Sequence, residues 1–175
     1  MSTNYIHIQH YESLLGEMIL GSFDGKICLC DWTNSKHRNR NDARICKAFN
    51  AVYQEESTPI LEKAKAELDE YFHHKRTTFH IPLLFTGTAF QNKVWSALLE
   101  IPYGKTISYR EQASRLGLPT KVRAVANANG ANPISILVPC HRVIGSNGTL
   151  SGYAGGIDAK QTLLQLEARE TKVQF

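Results

Sequence analysis

Hydrophobic residues near the start of this chain recur in strand-sized runs, and beyond a break at Pro82 and Gly87 they recur at helical spacing. That single change of pattern excludes an all-helical or all-β domain. Strands are expected at Tyr5 to Ile8, Gly16 to Ser22 and Lys26 to Trp32, with Asp24-Gly25 as the hairpin turn. Asn34 to Asn41 is polar and basic and reads as a loop. Ser57 to His74 places Ile60, Leu61, Ala64, Leu68, Tyr71 and Phe72 on one helical face behind a Ser/Thr-Pro start, which predicts an amphipathic helix lying on a small antiparallel sheet.

After the break, Phe90, Val94, Trp95, Leu98 and Leu99 share one face of a helix expected over Ala89 to Glu100. A turn follows at Ile101-Pro102-Tyr103-Gly104. Ser108 then caps a helix running through Gln112 and Leu116, Gly117 and Pro119 interrupt it, and a second helix runs from about Lys121 to Asn129. Two short helices around a glycine-containing turn suggest a helix-turn-helix. The second is rich in Ala and Gly, as suits a slim helix that approaches another backbone closely, whether duplex or neighbouring helix. The fold class is therefore α+β: a small antiparallel-sheet N-terminal domain over residues 1–85, packed on a helical C-terminal domain over 86–175 that carries the helix-turn-helix and the reactive cysteine.

No stretch of about 18 apolar residues exists to span a bilayer, and the start of the chain lacks a signal-peptide pattern, so a cytoplasmic protein without membrane association is expected. Its four cysteines, Cys28, Cys30, Cys46 and Cys140, are too sparse for a disulfide scaffold and read as thiols. The net charge of +4 is unevenly placed: residues 1–85 carry 10 Lys+Arg against 11 Asp+Glu, and residues 86–175 carry 10 against 5. The second half is thus the candidate polyanion surface.

Within that half, the apolar run Ile134 to Val138 leads into Pro139-Cys140-His141-Arg142-Val143. A buried, strand-like segment would deliver Cys140 to a turn beside basic residues, a setting that favours thiolate. An ordinary thiol titrates near 8.5 and needs such help to act as a nucleophile at neutral pH.

These residues, with Asn132-Pro133 upstream and Gly152-Tyr153-Ala154-Gly155-Gly156 downstream, resemble the O6-alkylguanine-DNA alkyltransferases, also called methylated-DNA–protein-cysteine methyltransferases. The resemblance extends through Phe90-Gln91, Val94-Trp95, Ile101-Pro102, Gly104, Ser108-Tyr109, Arg123 to Ala126, Lys160, Leu163-Leu164 and Glu167, and is looser in the first half. It implies a DNA-repair enzyme that moves the alkyl group of O6-alkylguanine in double-stranded DNA, with O4-alkylthymine as a further candidate, onto Cys140 in a single turnover. By the same resemblance His141 relays the thiol proton through water, Glu167 holds that histidine in the useful tautomer, and Asn132 braces the turn before the cysteine. Arg123 would fill the place of a flipped-out base, and Tyr109 would crowd the backbone phosphate. Tyr153 would wall the pocket, an N–H near Ala154 would face the O6 atom, Gly155 and Gly156 would let the backbone approach the base, and Lys160 would assist nearby.

No cofactor is implied, and a monomer is expected. Cys28, Cys30, His37 and Cys46 supply soft ligands, yet Cys28 and Cys30 at i and i+2 of a strand suit a core better than zinc, and the spacing to the other two matches no common finger. Two other classes fit the residues less well: a lesion-recognition protein, which would lack the cysteine, and a sequence-reading transcription factor, for which the Ala-rich helix offers few base-reading side chains.

Overall fold

A computed structural model describes residues 2–173, with side chains through residue 168. The chain divides between Gly87 and Thr88 into two compact units.

The first unit is built on a four-stranded sheet in the order β3-β2-β1-β4. Strands β1 (Asn4–Ser13), β2 (Gly16–Phe23) and β3 (Lys26–Trp32) form the expected antiparallel meander. Asp24 (φ 54°) and Gly25 (φ 74°) make the tight turn between β2 and β3, and both central residues of such a turn need positive φ to match the twist of the strands. Two expectations are corrected. The polar segment after β3 is loop only to His37, because helix α1 (Arg38–Phe49) begins there and buries Asn41 and Ile45. A fourth strand, β4 (Ala51–Glu55), then pairs with β1 in parallel, so the sheet is mixed rather than purely antiparallel. The helix between β3 and β4 supplies the crossover that parallel pairing requires.

Met18, Ile19 and Leu20 are consecutive and all buried, which means both faces of the sheet are covered. Helix α2 (Pro59–Phe72) takes one face, where Thr58 meets Ser22, Asp69 meets Tyr11 and Lys65 meets Gln9. The other face carries Ile6 and Ile19, packed with Ile45 of α1. The outer edge of β3 is closed by the returning chain: Ile27 donates to the Pro82 carbonyl at 2.9 Å and accepts from Leu84 at 2.9 Å. That capture protects the edge from pairing with another chain.

The second unit is mostly helical. Helix α3 (Ala89–Leu98) starts with a reciprocal capping box between Thr88 and Gln91. Strand β5 (Ile107–Ser108) leads into α4 (Tyr109–Arg115), whose first turn is capped by the Ser108 hydroxyl on the Glu111 N–H. Gly117, at φ 74°, closes α4, with Leu118 N–H returning to the Ala113 carbonyl at 2.9 Å. Helix α5 (Val122–Gly130) completes the helix-turn-helix. The two helices are locked by an amide pair that is almost wholly buried: Gln112 Nε2 donates to Asn129 Oδ1 at 3.0 Å and Asn129 Nδ2 donates back to Gln112 Oε1 at 2.6 Å. Trp95, fully buried on α3, donates its indole N–H to the Ala128 carbonyl at 2.8 Å. Helix α6 (Ile157–Val173) closes the unit, and no helix among the described residues is long and apolar enough to cross a membrane.

Candidate active site

The approach to Cys140 is not the strand expected from its apolar run. Ile136 sits at φ 71°, Val138 N–H reaches back to the Ile134 carbonyl at 3.1 Å, and the chain coils on itself before entering a one-turn 3₁₀ helix over Cys140–Arg142. Before the cysteine the coil holds only the isolated bridge between Ser135 and Val138, and a two-residue strand, β6 (Val143–Ile144), follows it, parallel to β5. A β-branched residue in the left-handed region is strained and persists only when its surroundings fix it. Asn132 is the fixing group. Its Oδ1 accepts from Ile134 N–H at 2.9 Å, and its Nδ2 donates to the Val138 carbonyl at 3.0 Å and to Cys140 Sγ at 3.4 Å. One buried amide thus holds both ends of the coil and points a donor at the sulfur, where it favours negative charge.

His141, the next residue, is fully buried, and its Nε2 lies 2.7 Å from Glu167 Oε2 on α6. Burial works to raise the Glu167 pKa, but hydrogen bonds and charge from His141 and Arg142 outweigh it and hold the carboxyl well below its usual range. An ionised carboxylate only accepts, so Nε2 carries the proton and donates. Nδ1 is left with its lone pair, buried and without a hydrogen-bond partner among the described residues. The pKa of the ring is lowered chiefly by burial, against the opposing bond and charge of Glu167, and Arg142 and Lys160 lower it further. A neutral imidazole with an open lone pair is a proton acceptor that does not retain the proton strongly.

Sequence reasoning assigned Arg142 only to a basic flank that would favour thiolate; the structure corrects this. Its guanidinium forks onto Glu167, with Nε to Oε1 at 2.9 Å and Nη2 to Oε2 at 3.1 Å, while Nη1 donates to the Ile101 carbonyl at 2.7 Å. Gly104 N–H adds a bond to Glu167 Oε1 at 3.2 Å. The planar fork matches the carboxylate in both oxygens and fixes its rotamer. The charge of Arg142 is therefore spent on Glu167. The signal that pointed to it was weak, a single Arg after Cys-His, because its partner lies 25 residues away.

Lys160 is 1% exposed and donates to the Tyr109 hydroxyl at 3.2 Å and to the Ser151 carbonyl at 3.1 Å. Tyr109 in turn donates to the same carbonyl at 3.2 Å. Burial lowers the Lys160 pKa, with Cys140 opposing, and burial raises that of Tyr109, with Ser151 opposing and Cys140 adding to the rise. Both side chains thus lie within the electrostatic reach of the sulfur and tie the 151–156 segment to α4 and α6. Tyr153 is buried with its ring edge-on to His141, centroids 6.4 Å apart. Ala154 and Gly155 form the turn closed by Gly156 N–H on the Tyr153 carbonyl at 3.0 Å, and Gly156 takes φ 93°. Cys140, His141, Glu167, Asn132, Tyr109, Lys160 and Tyr153 are therefore gathered, whereas Arg123 stands apart, exposed in the first turn of α5. Cys28 and Cys30 lie fully buried in β3, and among the described residues no three His, Cys, Asp or Glu side chains group as a metal site.

A cysteine bonded by an amide, a histidine set as a proton acceptor and a helix-turn-helix in the same unit define a class of protein that brings a nucleophilic thiol to a polyanion surface. Residues 89–169 match the family described as 6-O-methylguanine DNA methyltransferase, DNA binding domain, and residues 6–85 match its ribonuclease-like domain. The constitutive methylated-DNA–protein-cysteine methyltransferase of Bacillus subtilis is 42% identical over 162 residues, covering 89% of this chain and 92% of that one. The Mycolicibacterium paratuberculosis protein of that name is 55% identical over 108 residues, 62% of this chain and 66% of its own, so the match spans just under two thirds of that relative. A crystal structure of Mycobacterium tuberculosis OGT in complex with DNA superposes with a TM-score of 0.81 at 37% identity over 94% of each chain. The chain belongs to the methylated-DNA–protein-cysteine methyltransferase family.

Proposed function

We propose that this protein repairs double-stranded DNA by taking the alkyl group of O6-alkylguanine, and of O4-alkylthymine as a second substrate, irreversibly onto Cys140. The observation that carries the reading is the placement of Cys140 Sγ 3.4 Å from the Asn132 amide, in sequence next to a histidine whose Nε2 is committed to Glu167. The thiol proton passes through water to His141 Nδ1, and Glu167 stabilises the imidazolium formed. The thiolate attacks the alkyl carbon, the carbon–sulfur bond forms as the carbon–O6 bond breaks, and the electron pair leaves on guanine O6, where it is protonated. A thioether remains on the protein, and because an alkyl thioether is stable to water each molecule acts once, with no cofactor needed.

The target is out of reach inside a stacked duplex and is flipped out at a cost of a few kcal/mol. Arg123, exposed near the start of α5, fills the space left in the stack. Tyr109 crowds the flipped nucleotide, Tyr153 walls the base, the Ala154 N–H faces O6, and Gly155 and Gly156 leave room for its edge. Lys160 holds the segment beneath them. The protein works as a monomer, and a thiol nucleophile suits the reducing cytoplasm. Incubation with a duplex carrying one O6-methylguanine is expected to add one methyl group per protein, mapped to Cys140 by mass spectrometry. Lesion-specific binding without mass gain would instead make it a recognition protein.

A further inference from the structure

The charge of the first 85 residues is nearly balanced, but it is segregated. Residues 34–50 hold five Lys and Arg against one acid, Asp42, while the remaining residues up to 85 hold five against ten. Asp42 is occupied by Arg38 at 2.9 Å and by the Tyr53 hydroxyl at 2.6 Å. Lys36, Arg40 and Lys47 are exposed and make no ion pair among the described residues. With Arg44, which is half-buried and bonded to Asn41, Arg40 and Lys47 fall at steps of four and three residues and line one side of α1, about a third of a turn from the buried Asn41 and Ile45, and Lys36 stands just before the helix.

Such a stripe works against the helix that carries it. Like charges at these spacings repel, and cations in the first turn oppose the helix dipole. The Arg38–Asp42 pair and the place of Lys47 in the last turn offset this only in part, since α1 has no side-chain cap and no acid in its first turn. The crowding reaches neighbouring groups, since Arg40 and Lys36 add to the burial that lowers the pKa of His37, and Arg40 does the same for Arg44. A partner bearing a row of negative charge would relieve the repulsion. From Arg40 to Lys47 the stripe runs about 10 Å along the axis, a length matched by roughly three successive phosphates of one DNA strand.

We infer that the outer face of α1 is a second, sequence-independent contact for the duplex DNA backbone, made by the N-terminal unit in addition to the helix-turn-helix. The inference rests on the reading of DNA as the substrate carrier. Two phosphate-binding surfaces on one chain raise the effective concentration of each for the same duplex, and the gain is electrostatic, so salt removes it.

The test compares the full-length protein with a K36Q/R40Q/K47Q variant in binding to an unmodified duplex between 50 and 200 mM KCl. Each lost phosphate contact is expected to lower the slope of log affinity against log salt by about 0.9, giving a fall of about 2 to 3 for the triple variant. The rate of methyl transfer from free O6-methylguanine base to Cys140 is expected to stay unchanged, which shows that the reactive unit is intact. Should the triple variant fail to fold, the single K47Q protein is expected to lose about one unit of slope. Wild-type slope in the folded variants would overturn the inference and leave the stripe a solvated face. A wild-type protein that gains no methyl from lesion duplex would instead overturn the repair reading, whatever the slopes.

Discussion

The two units bury cysteine in opposite ways. In the sheet unit Cys28 and Cys30 are fully enclosed by strands and apolar side chains, and burial pushes the Cys28 thiol up to about 12 and raises Cys30 still more. In the helical unit Cys140 is nearly as buried, at 6% exposure, but its surroundings are polar: the Asn132 amide reaches the sulfur, and His141, Arg142, Glu167 and Lys160 are enclosed close by. Burial alone makes a thiol inert; burial among fixed donors and charges favours the thiolate that the proposed transfer needs. The difference extends to each unit's core. The sheet unit packs Ile6, Ile19, Leu29 and Ile45 with few enclosed ionic groups, while the helical unit encloses an ion pair and a reciprocal amide pair.

The largest effect expected from this contrast is on methyl transfer. Cys140→Ala should abolish mass gain from lesion DNA, whereas Cys28→Ala and Cys30→Ala should keep it, and transfer to either sheet cysteine would break the comparison. Next in size, His141→Ala should slow transfer by about 10²- to 10⁴-fold, as loss of a positioned proton acceptor does, measured in single-turnover assays. Arg142→Met should act on stability as well, because it leaves the Glu167 carboxylate enclosed without its fork, a change that costs about 3–5 kcal/mol for buried pairs. Thermal unfolding of that variant at or near the wild-type midpoint would show that the fork holds little together. Gln112→Ala is smaller, about 1–3 kcal/mol, since it leaves the buried Asn129 amide without its partner.

The smallest expected effect is a difference in pH response. Glu167, held below its usual range, stabilises the folded helical unit above the unfolded pKa of about 4.3 and loses that contribution as pH falls toward its folded value. His141, buried and neutral, acts in the same direction below about 6.5. Asp31 in β3 is the reverse case: burial raises it to about 7, against bonds from Ser35 and Trp32, so its contribution is complete below the unfolded pKa of about 3.9 and is lost as pH rises through 7. The chain has two tryptophans, Trp32 in β3 and Trp95 in α3, so Trp32→Phe and Trp95→Phe proteins report each unit separately by fluorescence. Asp31→Asn should flatten the loss between about pH 4 and 7 seen by Trp32 and leave the acid limb seen by Trp95 unchanged.

Local signals were legible where chain neighbours carry them. Asp24-Gly25, the Thr58-Pro59 start of α2, the Ser108 cap and Gly117 were readable because each acts within a few residues. Helix α1 was hidden by its basic, uncapped start, and β4 by its parallel pairing with a strand some 47 residues earlier. The segment before Cys140 reads as a strand in the sequence yet coils in the structure, because apolar composition alone does not distinguish extended from coiled backbone; Asn132 decides it by bonding Ile134, Val138 and Cys140.

By itself, then, the sequence determined the α+β class, the helix-turn-helix and the presence of Cys140, His141 and Glu167, since periodicity, caps and residue identity are written along the chain. Only the tertiary structure decided that the guanidinium of Arg142 clasps Glu167, that Lys160 is enclosed against Tyr109, and that Gln112 and Asn129 pair across the turn. The reason is physical. A buried polar group is defined by the partner that replaces water around it, and in each of these cases that partner lies at least 17 residues away.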